Sequence, residues 1–203
     1  MAVIATVLFI VLTAMVFEHG TAVIDRDMIL SLRTEATPLV TGFLLAVTFT
    51  SGKLAIPVLL IFAAVLYRRG DARAAAYYIG ACITAELLNA ILKHLIYRVR
   101  PHGVSPLLTS AGGYSYPSAD AMLAVVIFGL GALLLTWSVR SAALRLGAVG
   151  AAALFVIAAA IARVYLGAHW PADVLGGVLA GVACSAFWLG ALWRSPEAAV
   201  SSP

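Results

Sequence analysis

Residues 112–131 read GGYSYPSADAMLAVVIFGLG. A small polar loop gives way at Pro117-Ser118-Ala119-Asp120 to an apolar run that continues to residue 139. About 20 mostly apolar residues are what a helix needs to cross the hydrocarbon of a bilayer. The stretch therefore reads as a membrane span with a carboxylate at its mouth. The whole chain agrees: of 203 residues 63% are hydrophobic and 11% charged, with a mean hydropathy of +1.04. A soluble domain of this length needs a polar shell that this composition cannot make, so the class is polytopic membrane protein.

Six apolar runs are predicted to span: residues 2–18, 50–67, 74–97, 118–139, 143–162 and 170–193. No basic residue precedes the first run, which makes it a poor secretory signal and a better span. Residues 19–37 interleave Asp25, Arg26, Asp27, Arg33 and Glu35 with Val23, Ile24, Met28, Ile29 and Leu32. That pattern predicts an amphipathic helix lying on the membrane surface. Residues 38–49 are apolar and fit either the second span or the interfacial part. The expected fold is all-α: a six-span helical bundle with an interfacial helix between spans one and two. The chain is expected to form a single membrane-embedded domain over 1–203, with a disordered tail at 195–203.

Cys82 and Cys184 lie inside apolar runs and read as core or lipid-facing residues, not as a disulfide or metal site. The net charge of +4 comes without a basic cluster interleaved with aromatics, so no nucleic-acid partner is implied. Arginine placement orients the chain. Arg68, Arg69 and Arg73 join spans two and three, Arg140 and Arg145 join spans four and five, and Arg194 follows span six. With six spans these share one side, predicted to be cytoplasmic along with both termini, in a multi-pass protein of the cell membrane. Lys93, Arg98, Arg100 and Arg163 fall on the opposite face and need another explanation.

Three segments reach that outer face. In AELLNAILKHLIYRVRP (85–101), Glu86, Lys93 and Arg100 are seven apart with Asn89 between the first two. Such residues share a helical stripe. They read either as a polar network gluing the bundle or as a functional set lining a cavity. In the second segment Ser118 is placed as an N-cap and Asp120 sits in the first turn, where a carboxylate is favoured by the helix dipole. Capping electrostatics alone explains it. In ARVYLGAHWPADVLGG (162–177), His169 and Asp173 are at i and i+4, with Pro171 suited to a first turn. Asp173 can accept a hydrogen bond from one ring nitrogen and leave the other unprotonated, as a nucleophile or base needs. A capped interfacial histidine would look the same. Together the segments supply two helix N-termini for anions, three cations suited to phosphate oxygens, and an oriented imidazole. That set fits metal-free phosphoryl transfer.

The pattern resembles the type-2 phosphatidic acid phosphatase superfamily of integral-membrane lipid phosphatases. Its signature has three parts: Lys-x6-Arg-Pro, Pro-Ser-Gly-His and Ser-Arg-x5-His-x3-Asp. Here Lys93 through Arg100-Pro101 is intact, and Arg163, His169 and Asp173 keep the third spacing with Ala162 in the serine position. Pro117-Ser118-Ala119-Asp120 replaces the second motif's glycine and histidine. The resemblance covers about residues 50–193. It implies His169 as a nucleophile forming a phosphohistidine, Asp173 orienting it, and Lys93, Arg100, Ser118 and Arg163 holding the phosphate. It places Asp120 in the position of the general acid, and it implies no metal and no cofactor. The implied substrate is a membrane lipid phosphate or diphosphate, with a polyprenyl diphosphate the best fit, on the outer leaflet at a site facing the periplasm or exterior.

Aspartic acid is a different acid from histidine: free side chains titrate near 3.9 and 6.5. An ionised residue 120 cannot protonate a leaving oxygen, a loss of about 10²–10⁴ in rate. His102 is the substitute donor the sequence offers, though it also reads as an ordinary loop histidine. Two alternatives therefore stand beside the hydrolase: a lipid-to-lipid phosphotransferase, and a member that binds a phospholipid headgroup without turnover.

Overall fold

The computed structural model describes residues 2–34, 36–101 and 112–194. His102, Glu35 and the tail 195–203 lie outside the described residues. The elements are all helices: α1 (Ala2–Phe17), α2 (Ala22–Thr34), α3 (Pro38–Ser51), α4 (Ala55–Arg68), α5 (Ala72–Ile96), α6 (Ala119–Ala124), α7 (Gly131–Thr136), α8 (Ala142–Tyr165) and α9 (Pro171–Arg194). A π-helical stretch, Val125–Leu130, joins α6 to α7, and the three form one 18-residue apolar rod. No strand occurs among the described residues.

Local chemistry marks the boundaries. Thr37 caps α3 ahead of Pro38 by accepting the Val40 N–H, Asp71 caps α5 at Ala74, and Ser141 caps α8 at Leu144. α5 ends where Tyr97 turns left-handed at φ 54°, four residues before Pro101. Four helical rods are individually long and apolar enough to cross a membrane: α5, α6 through α7, α8 and α9. Two bent pairs bring the number to six, α1 with α2 at 95° and α3 with α4 at 54°. The predicted six-span bundle is thus present, and the chain is a multi-pass membrane protein. Residues 38–49, ambiguous in sequence, become most of α3. It packs on α8 through Leu44 and Val47 against Val156, Ala159 and Ala162.

α9 is the axis of the bundle and meets α1, α5, α6 and α8. It can do so because Gly176, Gly177, Ala180, Gly181 and Cys184 form a stripe of small buried residues. A Cβ on Gly177 would strike the Ser118 carbonyl, and one on Gly181 would lie 2.8 Å from the Met122 carbonyl. Small residues let backbones approach where lipid offers no hydrophobic drive to association. Cys82 and Cys184 are free and buried in this core. The outer faces carry Leu87, Ile91, Leu154, Ile157 and Phe187, as lipid contact requires.

Two expectations change. Glu86 is exposed on α5, and Arg100 lies beyond the helix end, so the seven-residue spacing is not one stripe; Asn89 is buried and Lys93 half-buried. Asp25, read as a solvated charge of a surface helix, is 2% exposed and turned into the protein with Thr21 and Ile29. Positions 21, 25 and 29 share one helical stripe, and that stripe faces α8 and α9.

Candidate active site

The site lies where α5 ends, α6 and α9 begin and α8 ends. A cleft of about 690 Å3 is lined there by Arg100, Asp120, Arg163 and His169, facing Thr48, Phe49, Gly52 and Lys53 of the α3–α4 corner. His169 is 2% exposed. Its Nδ1 lies 2.9 Å from the Ser115 carbonyl, which can only accept, so Nδ1 carries the proton and Nε2 keeps its lone pair. Asp173 Oδ2 is 3.5 Å from Nδ1. The carboxylate thus acts on the ring by charge, while a backbone carbonyl takes the hydrogen bond expected of Asp173. Burial pushes the imidazole below its ordinary value of 6.5, against an upward pull from Asp173.

Arg100 reaches the same place from the loop after α5. Its NH1 donates to the Ala168 carbonyl at 2.7 Å and lies 3.3 Å from His169 Nε2, while Nε is shared between the Gly112 and Gly113 carbonyls. Lys93 stands beside it with Nζ donating to the Tyr114 carbonyl at 2.7 Å. Ser118 is fully buried as the N-cap of α6, its Oγ toward the Ala121 N–H and its own N–H on the Asp173 carbonyl. Arg163 closes the cleft from the last turn of α8, its NH2 2.6 Å from Asp120 Oδ1. Asp120 thus accepts from the guanidinium expected to hold phosphate. Arg163 Nε and Thr48 Oγ1 are buried without a hydrogen-bond partner among the described residues.

The structure gives Arg98 its partners and adds two residues the sequence did not single out, Thr48 and Lys53. Arg98 NH1 binds Asp173 Oδ1 and its NH2 binds Asp25 Oδ2, each at 2.6 Å, which accounts for its charge on the outer face. Thr48 and Lys53 enter the cleft from α3 and the turn after it. No group of three or more potential metal ligands occurs among the described residues.

Residues 74–197 match the sequence model of the PAP2 superfamily. Phosphatidylglycerophosphatase B of Bacillus subtilis (strain 168) is 35% identical over 100 residues, 49% of this chain and 48% of the relative. The match thus spans about half the length of that relative. A crystal structure of a transmembrane PAP2-type phosphatidylglycerolphosphate phosphatase from Bacillus subtilis superposes with a TM-score of 0.85 at 24% identity, covering 93% of this chain and 94% of the other. LpxE of Aquifex aeolicus gives 0.60 at 21%, covering 81% and 93%. At these identities the structures speak for the fold alone.

Proposed function

The chain belongs to the PAP2 superfamily, and from the geometry of the cleft we propose that it removes phosphate from a membrane lipid phosphate or diphosphate on the outer leaflet, through a phosphohistidine at His169. The observation that carries this is the placement of a neutral, buried imidazole with its Nε2 lone pair beside Arg100 and across one cleft from Arg163. Nε2 attacks phosphorus, an N–P bond forms and the bond to the leaving oxygen breaks. Arg100, Arg163 and Lys93 neutralise the phosphoryl oxygens, and Ser118 belongs to the same phosphate-binding set. Water then attacks phosphorus, the N–P bond breaks and the ring returns to its neutral form. Asp173 holds the charge that the phosphorylated ring acquires.

Asp120 bears on substrate choice. Paired with Arg163 it accepts rather than donates, and a monoester must expel a strongly basic alkoxide. A lipid diphosphate expels a lipid monophosphate, a far weaker base that needs little protonation. The reading therefore favours a diphosphate, such as a polyprenyl diphosphate, over a monoester. The names of the Bacillus subtilis relatives point to phosphatidylglycerol phosphate, a monoester, as the competing substrate. Phosphate release from a panel holding both classes, with His169→Ala as blank, tests the function. Release by His169→Ala at the parent rate would sink it.

The Asp120–Arg163 pair also favours a second reading, a headgroup-binding member without turnover. Lipid binding without phosphate release from any substrate would establish it. Lipid-to-lipid phosphotransfer uses the same phosphohistidine, and phosphate appearing on an added lipid alcohol would reveal it.

A further inference from the structure

Asp25 lies on α2, outside the 74–197 match, yet it reaches the reaction centre through one side chain. Its Oδ2 accepts from Arg98 NH2 at 2.6 Å and its Oδ1 accepts the Ala172 N–H in the first turn of α9 at 2.8 Å. The other arm of Arg98 binds Asp173 Oδ1 at 2.6 Å. The guanidinium therefore bridges two buried carboxylates, with Thr21 Oγ1 as a third partner at 3.1 Å. The backbone of Arg98 serves the same histidine: its carbonyl accepts from the Ser115 N–H at 2.8 Å and from Ser115 Oγ at 3.1 Å. Ser115 in turn holds the His169 Nδ1 proton.

We propose that Asp25 is a positioning residue that, through Arg98, sets the charge balance of the Asp173–His169 pair. This rests on the reading of His169 as nucleophile. When Nε2 takes the phosphoryl group while Nδ1 keeps its proton, the ring becomes a cation, and Asp173 is its counter-charge. Were Arg98 bound to Asp173 alone, it would cancel that counter-charge. Because Asp25 shares the guanidinium, Asp173 keeps negative charge for the ring. The other charged groups around the pair are Lys93 at the end of α5, Arg100 in the loop, Asp120 on α6 and Arg163 on α8. Among the described residues none of these hydrogen-bonds or ion-pairs with the side chain of Arg98 or Asp25.

The test reads His169 directly. The chain has four histidines, so ring-carbon NMR of detergent-solubilised full-length protein resolves it, with assignment by loss in His169→Ala. Asp25→Asn lowers the His169 titration and Arg98→Gln raises it, each by about one pH unit. Asp25→Glu keeps the charge and restores the parent value. In turnover, Asp25→Asn lowers kcat about tenfold to a hundredfold with KM within about twofold, as a misplaced reacting group does. A merely structural staple would move both titrations the same way or not at all, and either result overturns the inference. If Asp25→Asn does not fold, Arg98→Gln decides alone: an unmoved titration there is fatal. The titrations need no turnover, so inactivity of the parent on every lipid would sink the proposed function while still leaving the charge balance decided.

Discussion

His169 has its Nδ1 proton committed to Ser115 and lines the cleft, which leaves Nε2 as the lone pair available for attack. His169→Ala is expected to lower phosphate release by about 10⁴-fold or more, as loss of a nucleophile does. The pH dependence follows from burial. Only the neutral ring attacks, and burial lowers its titration below 6.5. Turnover should therefore persist through neutral pH down past 6.5 and fall only as pH drops through the lowered value; an acid limb above 6.5 would contradict the buried geometry. Asp120 makes a separable prediction. Asp120→His frees Arg163 and supplies a donor, so monoester turnover should rise by about tenfold or more while diphosphate turnover changes little. Equal changes in both would remove residue 120 from control of the leaving group. Lys93, Arg100, Arg163 and His169 were visible in the sequence because short fixed spacings place them at helix ends. Asp25 was not, because its partner lies far along the chain, with 73 residues separating it from Arg98; nor was Thr48, which only the folding of α3 against α8 brings to the cleft. A signal for Asp25 did exist: it shares a stripe with Ile29 and Thr21, and a carboxylate on a buried stripe needs a cation.

At the scale of elements, α9 carries the consequence. The stripe Gly176-Gly177-Gly181 holds it against Tyr116 and the start of α6, so the spacing of His169 and Ser118 depends on those missing side chains. Gly177→Ala should destabilise the folded protein by about 1–3 kcal/mol through overpacking. It should also depress activity by moving the α6 N-terminus, whereas Gly147→Ala, which meets nothing within 4 Å, should do neither. Thermal unfolding and phosphate release of the pair check this. The helical spans were legible because their apolar runs are each at least 17 residues long. The 54° corner between α3 and α4 was not, since Ser51-Gly52-Lys53 sits inside a run that hydropathy alone reads as continuous. That corner brings Lys53 to the cleft rim, and Lys53→Ala should raise KM for a diphosphate more than for a monoester.

For the whole molecule, the site and the arginines at positions 68, 69, 73, 140, 145 and 194 occupy opposite ends of the bundle. The orientation proposed from them places the cleft outside and both termini inside. Cys82 and Cys184 are buried, so single introduced cysteines give a clean readout. Asp71→Cys should be labelled from the cytoplasmic side and Gly112→Cys from the exterior; labelling of position 71 from outside would reverse the topology. The overall architecture was readable from composition because a bilayer permits few alternatives to a helical bundle. What composition could not show was that α2 is part of the site's wiring as well as a surface helix.

The α3–α4 corner has a kinetic consequence. Leu45 and Phe49 line the cleft and are 44% and 50% exposed on α3, half of a bent pair long and apolar enough to cross a membrane. The cleft is thus walled partly by groups that belong among acyl chains, and a substrate's tail need never leave the bilayer while its headgroup is processed. For such a catalyst the relevant concentration is two-dimensional. Diluting the substrate lipid with inert lipid at constant bulk amount should slow the reaction, and adding vesicles of fixed composition should leave the turnover per enzyme unchanged.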